Sequence, residues 1–175
     1  MPVTRLNHAV MYVSDLARSV AFYTEVMGFT TVNLVEANPN FAGAAFLQAS
    51  GSTNDHDLGL FGIGAGAAAS QAGRGQVGLY HLAWEVDTLG ELQRIAQALS
   101  AAGALVGASD HGTTKSLYAK DPDGLEFEVV WLIPADRLEA ADLAKRSVIG
   151  PLDLQREVDR FGTETRGGVG ISVPV

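Results

Sequence analysis

The sequence states one structural plan twice. His8 precedes Val13 by five residues and Leu16 by eight, and His81 stands at the same distances from Val86 and Leu89. In the first copy Leu6 to Val13 alternates, which puts His8, Val10 and Tyr12 on one strand face and Ala9, Met11 and Val13 on the other. Ser14 and Asp15 can cap a helix whose apolar positions Leu16, Val20 and Met27 recur at roughly helical spacing, ending before Gly28. Thr30 to Val35, Ala44 to Gln48 and Asp57 to Ile63 read as strands, separated by Asn38-Pro39-Asn40 and Gly51-Ser52-Thr53-Asn54. The second copy runs in the same order. Tyr80 to Val86 alternates, Asp87 and Thr88 cap a helix over Leu89 to Ala101, and Gly103 closes it. Ala104 to Gly107, Ser116 to Lys120 and Glu126 to Leu132 follow as strands, the last after the turn signal Asp121-Pro122-Asp123-Gly124.

Two βαβββ modules in tandem make the expected fold class α+β: a half-open barrel of mixed sheet with a C-terminal helical extension. The Gly/Ala/Ser/Gln-rich run from Gly64 to Gly78 reads as the connection. The expected division is therefore residues 1–66 for the first module, 67–78 for the linker, 79–133 for the second module and 134–175 for the extension. Within the extension, Ala135 to Ser147 and Leu152 to Phe161 look like amphipathic helices ahead of a Gly-rich tail, and Leu138, Leu143, Leu152 and Leu154 need apolar cover over the cleft or at a subunit contact. A homo-oligomer is expected.

A chain without cysteine has no thiolate chemistry, so any metal must be held by histidine and carboxylate. The net charge of −8 opposes attraction to nucleic acid or anionic lipid. The apolar stretch Leu58 to Ala69 is short and glycine-rich, which excludes a membrane span there, and the start has no basic segment followed by an apolar one. A cytoplasmic setting and a small-molecule partner are expected.

A single strand histidine is more often structural than ligating. Here, however, His8 and His81 hold equivalent positions in the two modules, so a pseudo-twofold pairing of the modules would bring them together. Glu128 completes a candidate set: alternation puts it on one face with Glu126, while Phe127 and Val129 take the other, and two carboxylates turned toward an interior would be costly without a cation. Two neutral imidazoles and one carboxylate suit a divalent metal and leave adjacent positions open. A solvent-facing strand residue is the plain alternative for Glu128, and more so for Glu126, which is not taken as a ligand.

The segments NHAVMYVSDLARSVAFYTEVMGF, YHLAWEVD and YAKDPDGLEFEV, in this order over about residues 4 to 132, resemble the vicinal oxygen chelate superfamily of glyoxalases, extradiol dioxygenases and drug-resistance proteins. That resemblance implies two βαβββ modules around a cleft with a metal at its base, and the matching positions are His8, His81 and Glu128. The contexts NDHDLGLF and DHGTTKSLYAKDPDG resemble one-domain extradiol ring-cleaving enzymes. By that resemblance His56 transfers protons, while His111 and Tyr118 hydrogen-bond substrate and oxygen. As residues alone, His56 between Asp55 and Asp57 can equally be a surface histidine, His111 loop decoration and Tyr118 an ordinary strand tyrosine. Two departures from the family stand out. Leu125 replaces the asparagine common after the turn, and metal-dependent glyoxalases take a further ligand from the last strand of the first module, where this chain reads Leu58-Gly59-Leu60.

The resemblance thus implies an Fe(II) dioxygenase, with Mn(II) or another divalent metal as alternatives, acting with O2 on a catechol-like aromatic diol. Another chelate enzyme (an isomerase, lyase or thiol transferase) and a metal-free drug-binding protein remain as alternatives.

Overall fold

Each half of the chain begins with a strand whose last partner in the same half returns parallel to it. The computed structural model describes residues 2–3, 5–39, 41–73, 75–146 and 148–168. The first half contains β1 (Ala9–Val13), α1 (Leu16–Ala21) running on into a π-helical turn (Phe22–Val26), β2 (Thr30–Val35), β3 (Ala44–Gln48) and β4 (Leu58–Gly62). The second contains β5 (Leu82–Glu85), α2 (Leu89–Ala101), β6 (Leu105–Asp110), β7 (Thr114–Lys120) and β8 (Glu126–Leu132). The extension adds a 3-10 turn (Ala135–Arg137), α3 (Ala140–Ala144), β9 (Gly150–Pro151) and α4 (Leu154–Phe161). The expected βαβββ order appears in both halves.

The sheets are mixed, as expected: β1-β4-β3-β2 in the first half and β5-β8-β7-β6-β9 in the second. β1 pairs parallel with β4, β5 parallel with β8, and the other neighbours are antiparallel. By contact the chain divides into one unit of Met1–Gln71 with Asp121–Gly124 and a second of Ala72–Lys120 with Leu125–Val175.

In the first unit the apolar core is Val13, Tyr23, Leu47, Leu58 and Leu60, all at most 1% exposed. Asp15 caps α1 by accepting from the Arg18 amide. The Asp121-Pro122-Asp123-Gly124 turn is held in this unit by polar bonds. Asp123 accepts from the Ser14 amide at 2.9 Å, from the Ser14 hydroxyl, and from Arg18 at 3.2 Å. The buried Tyr23 hydroxyl donates to Asp121 at 3.4 Å. Burial, then the Asp121 charge, pushes that phenol well above the ordinary tyrosine range.

In the second unit β8 alternates cleanly, with Phe127, Val129 and Trp131 buried and Glu126, Glu128 and Val130 on the more open face. The buried face receives α2, whose Leu89, Leu92, Ile95 and Leu99 recur every three or four residues and are at most 2% exposed. Burying each such side chain contributes about 1.5–3 kcal/mol, enough to leave the opposite face free to carry polar groups.

The extension differs in detail from expectation. The run read as one helix from Ala135 to Ser147 is split into the 3-10 turn and α3, and Ser147 lies outside the described residues. Glu139 and Asp142 form a reciprocal capping box that starts α3 afresh. The next segment contributes β9, which adds a strand to the edge of β6, and α4 begins at Leu154 because Asp153 caps it. Phe161 packs on Trp131 with ring centroids 5.4 Å apart, and the Trp131 indole donates to Thr165 O at 3.2 Å. Residues 169–175 of the expected Gly-rich tail lie outside the described residues.

Arg160 of α4 grips Asp142 of α3 with two bonds of 2.8 Å. The guanidinium, outweighing burial, holds the Asp142 carboxyl below its ordinary value. A carboxyl that ionises more readily folded than unfolded contributes fully above its unfolded value of about 3.9 and loses that contribution as pH falls through the lower folded value. Asp142→Asn should therefore be less stable by about 2 kcal/mol at neutral pH and should lose less stability than the parent on acidification from pH 5 to 3. Calorimetric melts of both proteins across that range check this.

Candidate functional site

Parallel pairing of β5 with β8 sets Ala83 opposite Glu128. His81 lies two residues ahead of Ala83, just before the strand, so alternation turns it to the same face as Glu128. Its Nε2 stands 3.2 Å from Glu128 Oε2. Both side chains are sheltered, at 26% and 14% exposure, and the buried Nδ1 of His81 has no hydrogen-bond partner. On the neighbouring strand Tyr118 is the direct partner of Glu128. Its ring meets that of His81 edge-on at 6.0 Å, and its hydroxyl lies 2.9 Å from His111 Nε2. Four of the expected site residues thus form one chain of contacts, Glu128–His81–Tyr118–His111, inside the second unit. Burial, then the Glu128 charge, pushes the Tyr118 phenol up, so it stays a neutral donor at physiological pH.

The other two expected residues meet in the first unit. The rings of His8 and His56 lie 4.6 Å apart, and Phe46 packs on His56 at 5.0 Å. His8 Nδ1 is 2.7 Å from Asn7 Oδ1, and His56 Nδ1 is 3.0 Å from Asp55 Oδ2. Both oxygens can only accept, so each Nδ1 is the donor, and the tautomer this selects has its lone pair on Nε2. For a ligand this is the orientation a hydrogen bond from the other ring nitrogen normally imposes.

The first unit repeats the strand register of the second. Val10 of β1 faces Gly59 of β4, just as Ala83 faces Glu128. His8 is two residues ahead of Val10, so Gly59 occupies the position that Glu128 holds in the second unit. No donor side chain stands there.

The His81–Glu128 pair is spaced as two ligands of one divalent ion would be. Ligand bonds of about 2.0–2.2 Å set roughly at right angles separate adjacent donor atoms by about 3 Å, close to the 3.2 Å between His81 Nε2 and Glu128 Oε2. Among the described residues no group of three or more His, Cys, Asp or Glu side chains is gathered for a metal; the donors stand as a pair in the second unit and as His8 beside His56 in the first.

Some neighbours escaped sequence reasoning. Tyr80 packs on His81 at 4.8 Å, and its phenol is held up by a hydrogen bond to Glu126, which gives that carboxylate a partner other than a metal. Asp57, next to His56, accepts from Ser52, Asn54 and the Ala49 amide. Those bonds outweigh burial and hold its carboxyl low. The signal for this was present in Ser52-Thr53-Asn54, whose side chains favour such turn bonds.

The model of the Glyoxalase/Bleomycin resistance protein/Dioxygenase superfamily matches residues 5–129. The lactoylglutathione lyase of Salmonella typhimurium is 28% identical over 127 residues, covering 72% of this chain and 91% of that enzyme. The catechol-2,3-dioxygenase of Bacillus subtilis is 32% identical over 119 residues, covering 68% of this chain and 38% of that enzyme. A glyoxylase/bleomycin resistance protein/dioxygenase domain from Frankia sp. EAN1pec shares the fold, with a TM-score of 0.62 at 19% identity, over 77% of this chain and 96% of that one. Among the described residues no helix is long and apolar enough to cross a membrane. The family match takes in both strand-entry histidines and ends one residue past Glu128, and the chain belongs to the Glyoxalase/Bleomycin resistance protein/Dioxygenase superfamily.

Proposed function

We propose that the chain is an Fe(II)-dependent extradiol dioxygenase that opens a catechol-like ring beside its two hydroxyls, with His8, His81 and Glu128 as the metal ligands. The observation that carries this reading is Gly59 in the register position of Glu128. By the family resemblance, glyoxalases place a further ligand on that strand; without it, three ligands leave room for both oxygens of a diol and for a second reactant. A bound divalent ion supplies Lewis acidity toward the diol oxygens and, if iron, electrons toward dioxygen.

The remaining residues of the site are suited to the proton transfers. His56 carries its proton on Nδ1 against Asp55 and keeps Nε2 free to accept one from a catechol hydroxyl and return it later. Tyr118, neutral and bonded to His111, offers a donor beside His81 and Glu128. Phe46 and Phe61, in edge contact at 6.0 Å, give His56 an aromatic neighbourhood suited to a flat ring.

The second reading is a lyase, favoured by relatives named lactoylglutathione lyase that match over 91% of their length. Oxygen uptake by the iron-loaded protein against a panel of catechols separates the two. Uptake of one O2 per ring opened is expected; formation or cleavage of lactoylglutathione under nitrogen, with no uptake on any catechol, would favour the lyase.

His56→Ala separates proton transfer from binding. It should leave metal content and anaerobic catechol binding nearly unchanged while slowing turnover by roughly 10² to 10⁴, the usual contribution of a general acid–base group. Ultraviolet difference spectra of the anaerobic complex, followed by rapid mixing with oxygen, read both quantities. Loss of iron would make His56 a ligand instead, and unchanged turnover would make it a surface residue.

A further inference from the structure

The extension after Pro134 lies outside the residues matched by the family, yet three of its elements converge on the turn that carries His111. β9 pairs with the end of β6, Pro151 opposite Ser109 and Gly150 opposite Asp110. The backbone of α3 lies against Gly112, which has φ 78°; a Cβ there would stand 2.3 Å from Asp142 O and 2.8 Å from Lys145 Cβ. From α4 comes Glu157, 1% exposed, whose Oε2 lies 3.4 Å from Nζ of the equally buried Lys115.

Lys115 is the hub. Its ammonium donates to Asp110 Oδ1 at 2.5 Å and to Gly112 O at 3.3 Å, while Asp110 Oδ1 also accepts from the Gly112 amide at 2.8 Å. Arg156 of α4 reaches Glu157 at 2.8 Å and Asp110 Oδ2 at 3.7 Å. Asp110 and Lys115 flank His111 in the sequence, while Glu157 and Arg156 join them from α4, where Arg160 also stands 3.9 Å from Glu157 Oε2. Buried ion pairs give little net stability compared with apolar packing of the same volume, but removing one partner leaves a stranded charge. His111 lies between Asp110 and Gly112, both of which the network binds, and its imidazole is bonded to Tyr118.

We infer that the C-terminal extension is a positioning clamp, with Glu157, acting through Lys115 and Asp110, as the positioning residue that holds the His111 imidazole against the Tyr118 hydroxyl. The clamp's role in turnover rests on the dioxygenase reading; the clamp itself does not. If it operates, losing Glu157 lets the turn relax, the imidazole leaves the phenol, and catalysis suffers only to the extent that it used His111.

The test is Glu157→Gln in the full-length protein, alone and combined with His111→Ala. The nuclear Overhauser contact between the His111 and Tyr118 ring protons, read with labelled histidine and tyrosine, should weaken severalfold or vanish. The kcat on catechol should fall at least tenfold with KM within about twofold, and Glu157→Gln should cost nothing further once His111 is alanine. Arg156→Gln, at a side chain 58% exposed, tests the same contact should Glu157→Gln fail to fold, and a smaller loss in the same direction is expected. A ring contact that survives in both variants would overturn the clamp, as would an equal loss of kcat in the His111→Ala background. Absence of catechol turnover in the parent protein would remove the dioxygenase reading, and the ring contact would still decide the clamp.

Discussion

The site depends on the parallel return of the last strand of each module beside its first. A residue just ahead of the first strand is thereby carried next to a residue near the start of the last. In the second unit that geometry brings Nε2 of His81 within 3.2 Å of Glu128, with Tyr118 across the next strand. The other face of the same sheet is closed by Phe127, Val129, Trp131 and the apolar ridge of α2. Burial on one face is what permits a carboxylate, an imidazole and a phenol to stay together on the other.

The first unit applies the same register to different residues and yields a different local chemistry. Gly59 replaces a donor, and the strand-entry histidine finds its company in His56 and Phe46. The glycine also matters for packing. A Cβ at position 59 would lie 3.3 Å from Val10 Cγ2 and 3.6 Å from Phe61 Cε2, so a larger residue would have to push Val10 aside before it could reach a ligand. A duplicated scaffold thus carries a carboxylate in one copy and none in the other.

Much of this was legible in the sequence. The matched spacings from His8 and His81 gave the repeat, and the alternation of β8 separated Glu128 from its buried neighbours. The DHG and SLY contexts named His111 and Tyr118 but not their mutual bond, because a seven-residue separation becomes a contact only once β6 and β7 form a hairpin. The clamp was not legible. Glu157 looks like a solvent-facing charge on an amphipathic helix and Lys115 falls just before the expected strand, and only the tertiary structure buries them against each other. The strand β9 is two residues long and includes a proline, which no periodicity can announce; its place at the sheet edge accommodates the missing donor.

The proposed function requires one metal held by the two strand-entry histidines and Glu128. Pulsed electron paramagnetic resonance of the Mn(II)-loaded protein counts coordinated imidazoles through their nitrogen modulation. The account predicts two in the parent protein, one in His8→Ala and one in His81→Ala, with two retained in His56→Ala and His111→Ala. A single imidazole in the parent, or a count that falls in His56→Ala, would contradict it.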